Sequence, residues 1–129
     1  MKLKQKVVSL LKNSLPFGYL KTGKGKTRVE LVYLKTPGAL TAYYFGGKPH
    51  LGAVTAGVHL LSKKMHRTVC LNGHRDDTIT KRAEEILCKN RNGLVITGAG
   101  IHYKNATVPQ IRSLVKNADV LSHRLVRLQ

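Results

Sequence analysis

The sequence has no tryptophan, only two cysteines and only 6 acidic side chains among 129 residues. No apolar run approaches the roughly 18 residues that a membrane span needs, and we expect no membrane partner. Cys70 and Cys88 stand singly, without the spacing of a zinc ribbon or a redox motif, so we expect two buried thiols rather than a disulfide. No cleavage site follows the short apolar run Val7–Leu11, so we expect a cytoplasmic protein.

Several catalytic motifs are also missing. Neither GxxxxGK[ST] nor GxGxxG occurs, which disfavours a P-loop nucleotidase and a Rossmann dehydrogenase. No GxSxG nucleophile elbow is present either. The few acids leave little acid–base chemistry, and the adjacent pair Asp76 and Asp77 is expected to cap a helix rather than to catalyse.

The charge is strongly one-sided, with 23 Lys and Arg side chains and a formal net charge of +17. Glu30 is the only acid before Asp76. Such a field attracts polyanions, namely nucleic acid, a phosphorylated cofactor or an acidic protein face, and it is also typical of a lysine-rich solvated surface. A nucleic-acid-binding module therefore stays open as an alternative, although no RRM, KH, zinc-finger or helix-turn-helix signature occurs.

Hydrophobic periodicity predicts an α+β fold, with a mainly antiparallel sheet and helices packed on one face. We expect a single domain over residues 1–129, in which a basic helix and loop (1–27) precede a core (28–129). Thr36-Pro37-Gly38 predicts a loose loop between the first two strands, and the sheet is expected to begin as an antiparallel meander. The chain is predicted to begin with a helix at 3–14 and a loop at 18–25. Strands are predicted at 28–34, 39–45, 53–60 and 67–71, and a turn at 62–65 joins the last two. The remaining predicted elements are a helix at 78–89 that ends by Asn92-Gly93, a strand at 94–97 leading into Gly98-Ala99-Gly100, and a helix from Thr107 interrupted at 117–119.

Three segments combine glycine with histidine directly after strand-like runs. They are Gly46-Gly47-Lys48-Pro49-His50-Leu51-Gly52, then Asn72-Gly73-His74-Arg75-Asp76, and then Gly98-Ala99-Gly100-Ile101-His102. Glycine permits a positive φ and a close backbone approach to a ligand. We therefore expect the three segments to gather at one edge of the sheet and to form a binding site.

The chemistry of that site has two readings from the residues alone. His50, His74 and His102 can together bind a divalent metal as neutral imidazoles. They can equally donate to a phosphate alongside Lys48, Arg75 and glycine N–H groups. Each histidine taken singly can also be a structural turn residue, and a small histidine-metal enzyme is a further alternative that lacks a general base beside the histidines.

The same motifs resemble the small D subunit of hydroxybenzoate and gallate decarboxylase systems, the prenylated-flavin chaperone family. The resemblance covers about residues 28–129. It rests on the order and spacing of three motifs: Gly46-Gly47-x-Pro49-His50-Leu51-Gly52-x-Val54-Thr55, His74-Arg75-Asp76, and Thr97-x-Ala99-Gly100-Ile101-His102 with Gln110-Ile111 behind.

The resemblance implies a non-catalytic protein that binds reduced prenylated FMN, or plain FMN, and assists its delivery to or activation of a prenylated-FMN-dependent decarboxylase. It also implies which positions contact the cofactor, with a divalent metal left open, and we expect a homo-oligomer. The pocket residues are His50, His74, Asp76 and His102 with Gly46, Gly47, Gly52, Gly98 and Gly100, and the other residues that we expect to contact the cofactor are Lys48, Pro49, Thr55, Arg75 and Ile101.

Overall fold

In the part of the chain that the structure describes, six β-strands form one sheet and two α-helices pack against one of its faces. The computed structural model describes residues 16–60, 63–71, 75–89 and 91–128, so the predicted helix at 3–14 lies outside the described residues. The elements are β1 (Phe17–Thr22), a 3-10 turn (Gly25–Thr27), β2 (Val29–Thr36), β3 (Ala39–Gly47), β4 (Ala53–Leu60), β5 (Lys63–Cys70), α1 (Asp77–Cys88), β6 (Gly93–His102) and α2 (Val108–Arg127).

The order of strands in the sheet is β1-β2-β3-β6-β4-β5. Only β3 and β6 pair in parallel, and the other neighbours are antiparallel. The α+β prediction is confirmed. The predicted meander, however, extends only through β3, because β6 lies between β3 and β4 and pairs with both.

The core lies between the sheet and the helices. Alternate residues of β2 and β3, among them Val29, Leu31 and Tyr44, are fully buried beneath Leu121 and Leu125 of α2. The hydroxyls of Tyr44 and Ser122 meet at 2.5 Å, and burial raises the pKa of Tyr44. Within the described ranges, no helix is long and apolar enough to cross a membrane.

The other side of the sheet, which we call the open face, carries large apolar side chains that are exposed. In β1 and β2 the paired residues Phe17 and Leu34, and Tyr19 and Val32, all point to this side. Further along, Met65 and Val69 of β5 are exposed there as well. A soluble monomer seldom leaves such an extended apolar surface uncovered.

The predicted loop at 18–25 is wrong, because Phe17–Thr22 forms edge strand β1. A Cβ on Gly18 would lie 2.3 Å from the hydroxyl oxygen of Tyr33, so this glycine makes room for the tyrosine ring on the paired strand. Lysine and glycine hid the strand pattern. The glycine is a packing requirement here rather than a loop signal.

Two predicted turns also differ from the structure. Thr36 pairs directly with Ala39, so Pro37-Gly38 is a tight two-residue turn rather than a loose loop, and Gly38 provides its positive φ of 76°. Strand β5 begins at Lys63 rather than at residue 67, and residues 61–62 lie outside the described part.

Helix α1 ends at Cys88, one residue before the predicted end at 89, and β6 continues through His102, so Gly98-Ala99-Gly100 belongs to the strand. Helix α2 begins with the predicted capping box, in which Thr107 and Gln110 exchange side-chain and backbone hydrogen bonds. The predicted interruption at 117–119 is wrong. Asn117 donates to the carbonyl of Thr27 and Asp119 pairs with Arg82, so these side chains bond to other elements instead of competing with their own helix.

Candidate functional site

The connection from β3 to β4, residues 48–52, crosses the C-terminal half of β6. Gly47 turns the chain with a φ of 68°, and the N–H of Lys48 donates to the carbonyl of His102 at 3.0 Å. The N–H of Gly52 then donates to the carbonyl of Ala99 at 2.8 Å. Two of the three predicted glycine-histidine segments therefore do meet, bonded to each other through the backbone.

Asp76 joins this arrangement from the start of α1. Its Oδ1 accepts from the N–H of Ile101 at 3.1 Å, and its Oδ2 lies 3.3 Å from Nε2 of His50. Asp76 occupies the N-cap position but makes no side-chain capping bond there, and Asp77 pairs with Lys81. The prediction that one of these acids caps the helix is thus wrong, because the buried Asp76 carboxylate connects α1 to β6 and to the crossover instead.

His50 and His102 lie side by side at this edge, with ring centroids 6.5 Å apart in an edge-on arrangement. Nδ1 of His50 is 3.2 Å from the carbonyl oxygen of Lys48, while Nε2 faces Asp76, so the ring is held at both nitrogens. His102 is exposed at the end of β6. His74, the third predicted histidine, lies outside the described residues, so the three-histidine metal set stays a prediction.

A cavity of about 910 Å³ opens between α1, α2 and the end of β6. Its inner wall is apolar, formed in part by Ile79, Ile101, Leu114 and Val115. Tyr103 completes this side, with its hydroxyl donating to the carbonyl of Arg28 at 2.6 Å, and burial raises the pKa of that hydroxyl. The wall can therefore take a flat apolar ring system.

The rim of the same cavity is mostly cationic. Arg75, Arg112 and Lys116 line it, together with an Arg82 whose guanidinium is paired with Asp119. His102 and Asp76 line it too. Cations beside an apolar wall match an anionic ester attached to an aromatic group.

The predicted site residues that the structure describes fall into three groups. Arg75, Asp76, Ile101 and His102 line the cavity, and His50 touches it through Asp76. Thr55 lies elsewhere, buried beneath the sheet, where its hydroxyl meets those of Thr68 and Thr80 at 2.8 and 2.9 Å. The remaining predicted positions belong to the end of β3, the crossover and β6, and none of them lines the cavity: Gly46, Gly47, Lys48, Pro49, Gly52, Gly98 and Gly100.

Sequence reasoning missed the wall that α2 supplies. Arg112 and Lys116 are four residues apart, and Ile111 and Val115 accompany them on the same side of the helix. These two cations and two aliphatic residues recur at helical spacing, so the pattern could have been recognised in the sequence. It also missed Tyr43, whose hydroxyl donates to the carbonyl of His50 while its ring stacks on Phe45 at 5.3 Å.

Comparison with known families gives one match that spans most of the chain. The family model described as the prenylated flavin chaperone LpdD-like domain matches residues 23–128. This range contains every strand from β2 onward, both helices and the whole cavity wall. No curated protein matches the chain.

Among solved structures, the chain is similar to one in the crystal structure of a chaperone complex for yeast 20S proteasome assembly. The TM-score is 0.52 and the sequence identity 13%, and the alignment covers 88% of this chain and 95% of the other. At this identity the likeness concerns the fold alone.

Proposed function

This chain belongs to the prenylated flavin chaperone LpdD-like family, and we propose that it binds reduced prenylated FMN in the cavity between α1, α2 and β6. The observation that carries the proposal is the combination of an apolar wall with a cationic rim, directly beside the His50–Asp76–His102 cluster. A flavin mononucleotide is a phosphate ester on a flat ring system, so it needs both surfaces at once.

The size of the cavity supports this assignment. Cofactor sites usually occupy about 300–1,000 Å³ and carry a few polar groups on a mostly apolar lining. The cavity here, at about 910 Å³, lies within that range and has room for a prenylated tricyclic ring and its ribityl phosphate. We assign the ring to the wall formed by Ile79, Leu114 and Val115, and the phosphate to the rim at Arg112 and Lys116.

We further propose that the protein is an accessory to a prenylated-FMN-dependent decarboxylase rather than an enzyme. Two acids line the cavity, and both already have partners. Asp76 contacts His50 and the N–H of Ile101, and Asp119 pairs with Arg82. Neither presents an uncommitted carboxylate as a general base. A carrier needs reversible binding and exclusion of solvent, and this arrangement provides the surfaces for both.

The homo-oligomer expected from the sequence is proposed to form through the open face. The exposed side chains of Phe17, Val32 and Leu34 continue across β1 and β2 as one apolar surface. Burial of such a surface against a second copy is favourable by about 25 cal/mol for each Å² of apolar area. The helix side, which holds the cavity, would then stay accessible to the decarboxylase.

The test is an anaerobic titration with reduced prenylated FMN followed by native mass spectrometry. We expect one cofactor per chain, with weaker binding of plain reduced FMN. A short DNA duplex serves as the competing ligand for the nucleic-acid alternative, which the net charge of +17 motivates. Binding of the duplex with a steep salt dependence, and none of either flavin, would overturn the proposal.

Two substitutions test whether the cofactor binds beside the His50–Asp76–His102 cluster. His50→Ala and His102→Ala are expected to weaken cofactor retention while circular dichroism stays native. His66→Ala and His123→Ala are the matched controls, because both histidines are exposed and neither lines this cavity. Repeating the titration with EDTA tests a divalent metal on His50, His102 and His74: a requirement for metal predicts loss of binding that added metal restores.

A further inference from the structure

The cavity between α1, α2 and β6, to which we assign the flavin, is called the flavin cavity below. A second cluster of ligating side chains lies on the far side of α1 from it. It consists of His59 near the end of β4 and of Glu84 and Cys88, which are one turn apart on α1. Nε2 of His59 lies 3.5 Å from Oε1 of Glu84, and Sγ of Cys88 lies 3.2 Å from the same oxygen. Within the described part of the chain, this is the only group of three such residues whose ligand atoms all lie within 4.8 Å of one another.

We propose that His59, Glu84 and Cys88 bind a Zn²⁺ ion. Zinc takes nitrogen and oxygen ligands at ~2.0–2.2 Å and thiolate sulfur at ~2.3 Å, usually in a tetrahedron. Ligand atoms in such a tetrahedron are ~3.3–3.8 Å from one another, close to the two separations already present here. Small movements of the three side chains are enough to bring them around one ion.

The position of Glu84 supports the proposal. Its side chain is 2% exposed and lies under β4, where a Cβ on Gly57 would be only 1.8 Å from Oε1. The sheet therefore leaves a space that the carboxylate fills. A buried carboxylate is costly unless it is paired, and an imidazole and a thiol are weak partners compared with a metal cation.

The ligand types decide which metal fits. Mg²⁺ and Ca²⁺ prefer sets of oxygen ligands, whereas imidazole together with thiolate suits zinc. Without a metal, the Cys88 thiol donates to the buried Glu84 carboxylate. A bound cation would stabilise the thiolate and offset the charge of the carboxylate, so that zinc binding releases a proton.

Access and a further ligand are also available. A cavity of about 490 Å³ opens beside the cluster, lined by His59 and Cys88 and on its other side by His123 of α2. None of its lining residues belongs to the flavin cavity. The fourth zinc position therefore faces this second cavity, where water or the His123 imidazole can fill it.

Cobalt spectroscopy on the full chain tests the site. The experiment uses a Cys70→Ser background, so that a thiolate signal can come only from Cys88. Reduced, chelator-treated protein is titrated with Co²⁺ and then with Zn²⁺. We expect one metal per chain, intense visible bands of tetrahedral Co²⁺ and a near-ultraviolet sulfur-to-cobalt band, all removed when Zn²⁺ displaces the cobalt.

Variants separate this site from the rest of the protein. Cys88→Ser and His59→Gln are expected to weaken zinc binding by at least about tenfold, the lower end of what changes around zinc ligands cost. His66→Gln is the matched control on the neighbouring strand and should leave the affinity unchanged. If either ligand variant loses its native circular dichroism spectrum, the cobalt absorption spectrum of the Cys70→Ser protein alone still tests the proposal. Octahedral cobalt bands without a sulfur band, or no metal retained after gel filtration, would overturn the proposal.

Discussion

The carbonyl oxygen of His50 lies directly over the backbone of Gly100, so close that a Cβ on Gly100 would be 1.5 Å away from it. The crossover between β3 and β4 therefore rests on β6 itself, without an intervening side chain. This contact sets the distance between the crossover and β6, and it therefore sets the position from which the His50 side chain reaches Asp76. The fold and the candidate site thus depend on the same glycine.

Gly100→Ala is expected to lower the free energy of unfolding by about 1–3 kcal/mol, the usual cost of overpacking. The added methyl group meets backbone, which cannot rotate away, so the crossover must lift and carry His50 away from Asp76. Urea denaturation measures the stability, and the prenylated FMN titration measures the loss of affinity.

Gly98→Ala is the matched control for that substitution. Gly98 lies on the same strand and the same face, but the nearest atom to its added Cβ would be the Leu51 Cδ1 at 3.1 Å, the end of a flexible side chain. We expect a smaller loss of stability and nearly normal cofactor binding. Equal effects at both glycines would contradict the role assigned to the His50 carbonyl.

The open face provides a prediction about assembly. Val32→Lys places a charge in the middle of this apolar surface and is expected to shift the protein toward the monomer in sedimentation velocity runs. Val120→Lys, at a valine of nearly equal exposure on α2 (39% against 40%), should leave the assembly unchanged. A wild-type protein that is monomeric at all concentrations would refute the proposed homo-oligomer.

The elements with a clear period were predictable from the sequence. Strand β4 alternates over Ala53–Leu60, and the capping box at Thr107 places the start of α2 correctly. Both signals are local, because they depend on residues within one element. The order of the strands was not predictable, since insertion of β6 between β3 and β4 depends on pairing between residues such as Phe45 and Gly100 that are far apart in the chain.

The candidate site was half predictable for a similar reason. Glycine next to histidine drew attention to His50 and His102, which the structure does bring together. Gly100 was predicted to follow the strand at 94–97, although it lies inside β6, where the crossover passes directly over it and leaves no room for a side chain. The reason for a glycine can thus be a contact with a distant segment, which the neighbouring sequence does not reveal.

The two cysteines are expected to differ in reactivity. Both were predicted to be buried, and that is wrong for Cys70, which is exposed on β5, whereas Cys88 is buried. Because the pKa of the Cys88 thiol is raised to about 12, this group stays almost entirely neutral at pH 8. Iodoacetamide should therefore modify Cys70 alone in the native, metal-free protein and both cysteines in urea, as read by peptide mass spectrometry. Fast native labelling of Cys88 would contradict its burial.

Recognition of the phosphate is expected to depend on Arg112. A charge-assisted hydrogen bond to a phosphate is roughly twice as strong as a neutral one, so removal of either partner should be measurable. We expect reduced prenylated FMN to bind the wild-type protein about tenfold more tightly than its dephosphorylated form, a difference of about 1.4 kcal/mol. In Arg112→Ala this preference should shrink several-fold, because the variant loses affinity mainly for the phosphorylated ligand.

Arg67→Ala is the control, because Arg67 is an exposed arginine on β5 that does not line the cavity, and this variant should keep the full preference. If Arg112→Ala weakens both ligands equally, this side chain supports the ring or the fold, and the phosphate binds elsewhere on the rim.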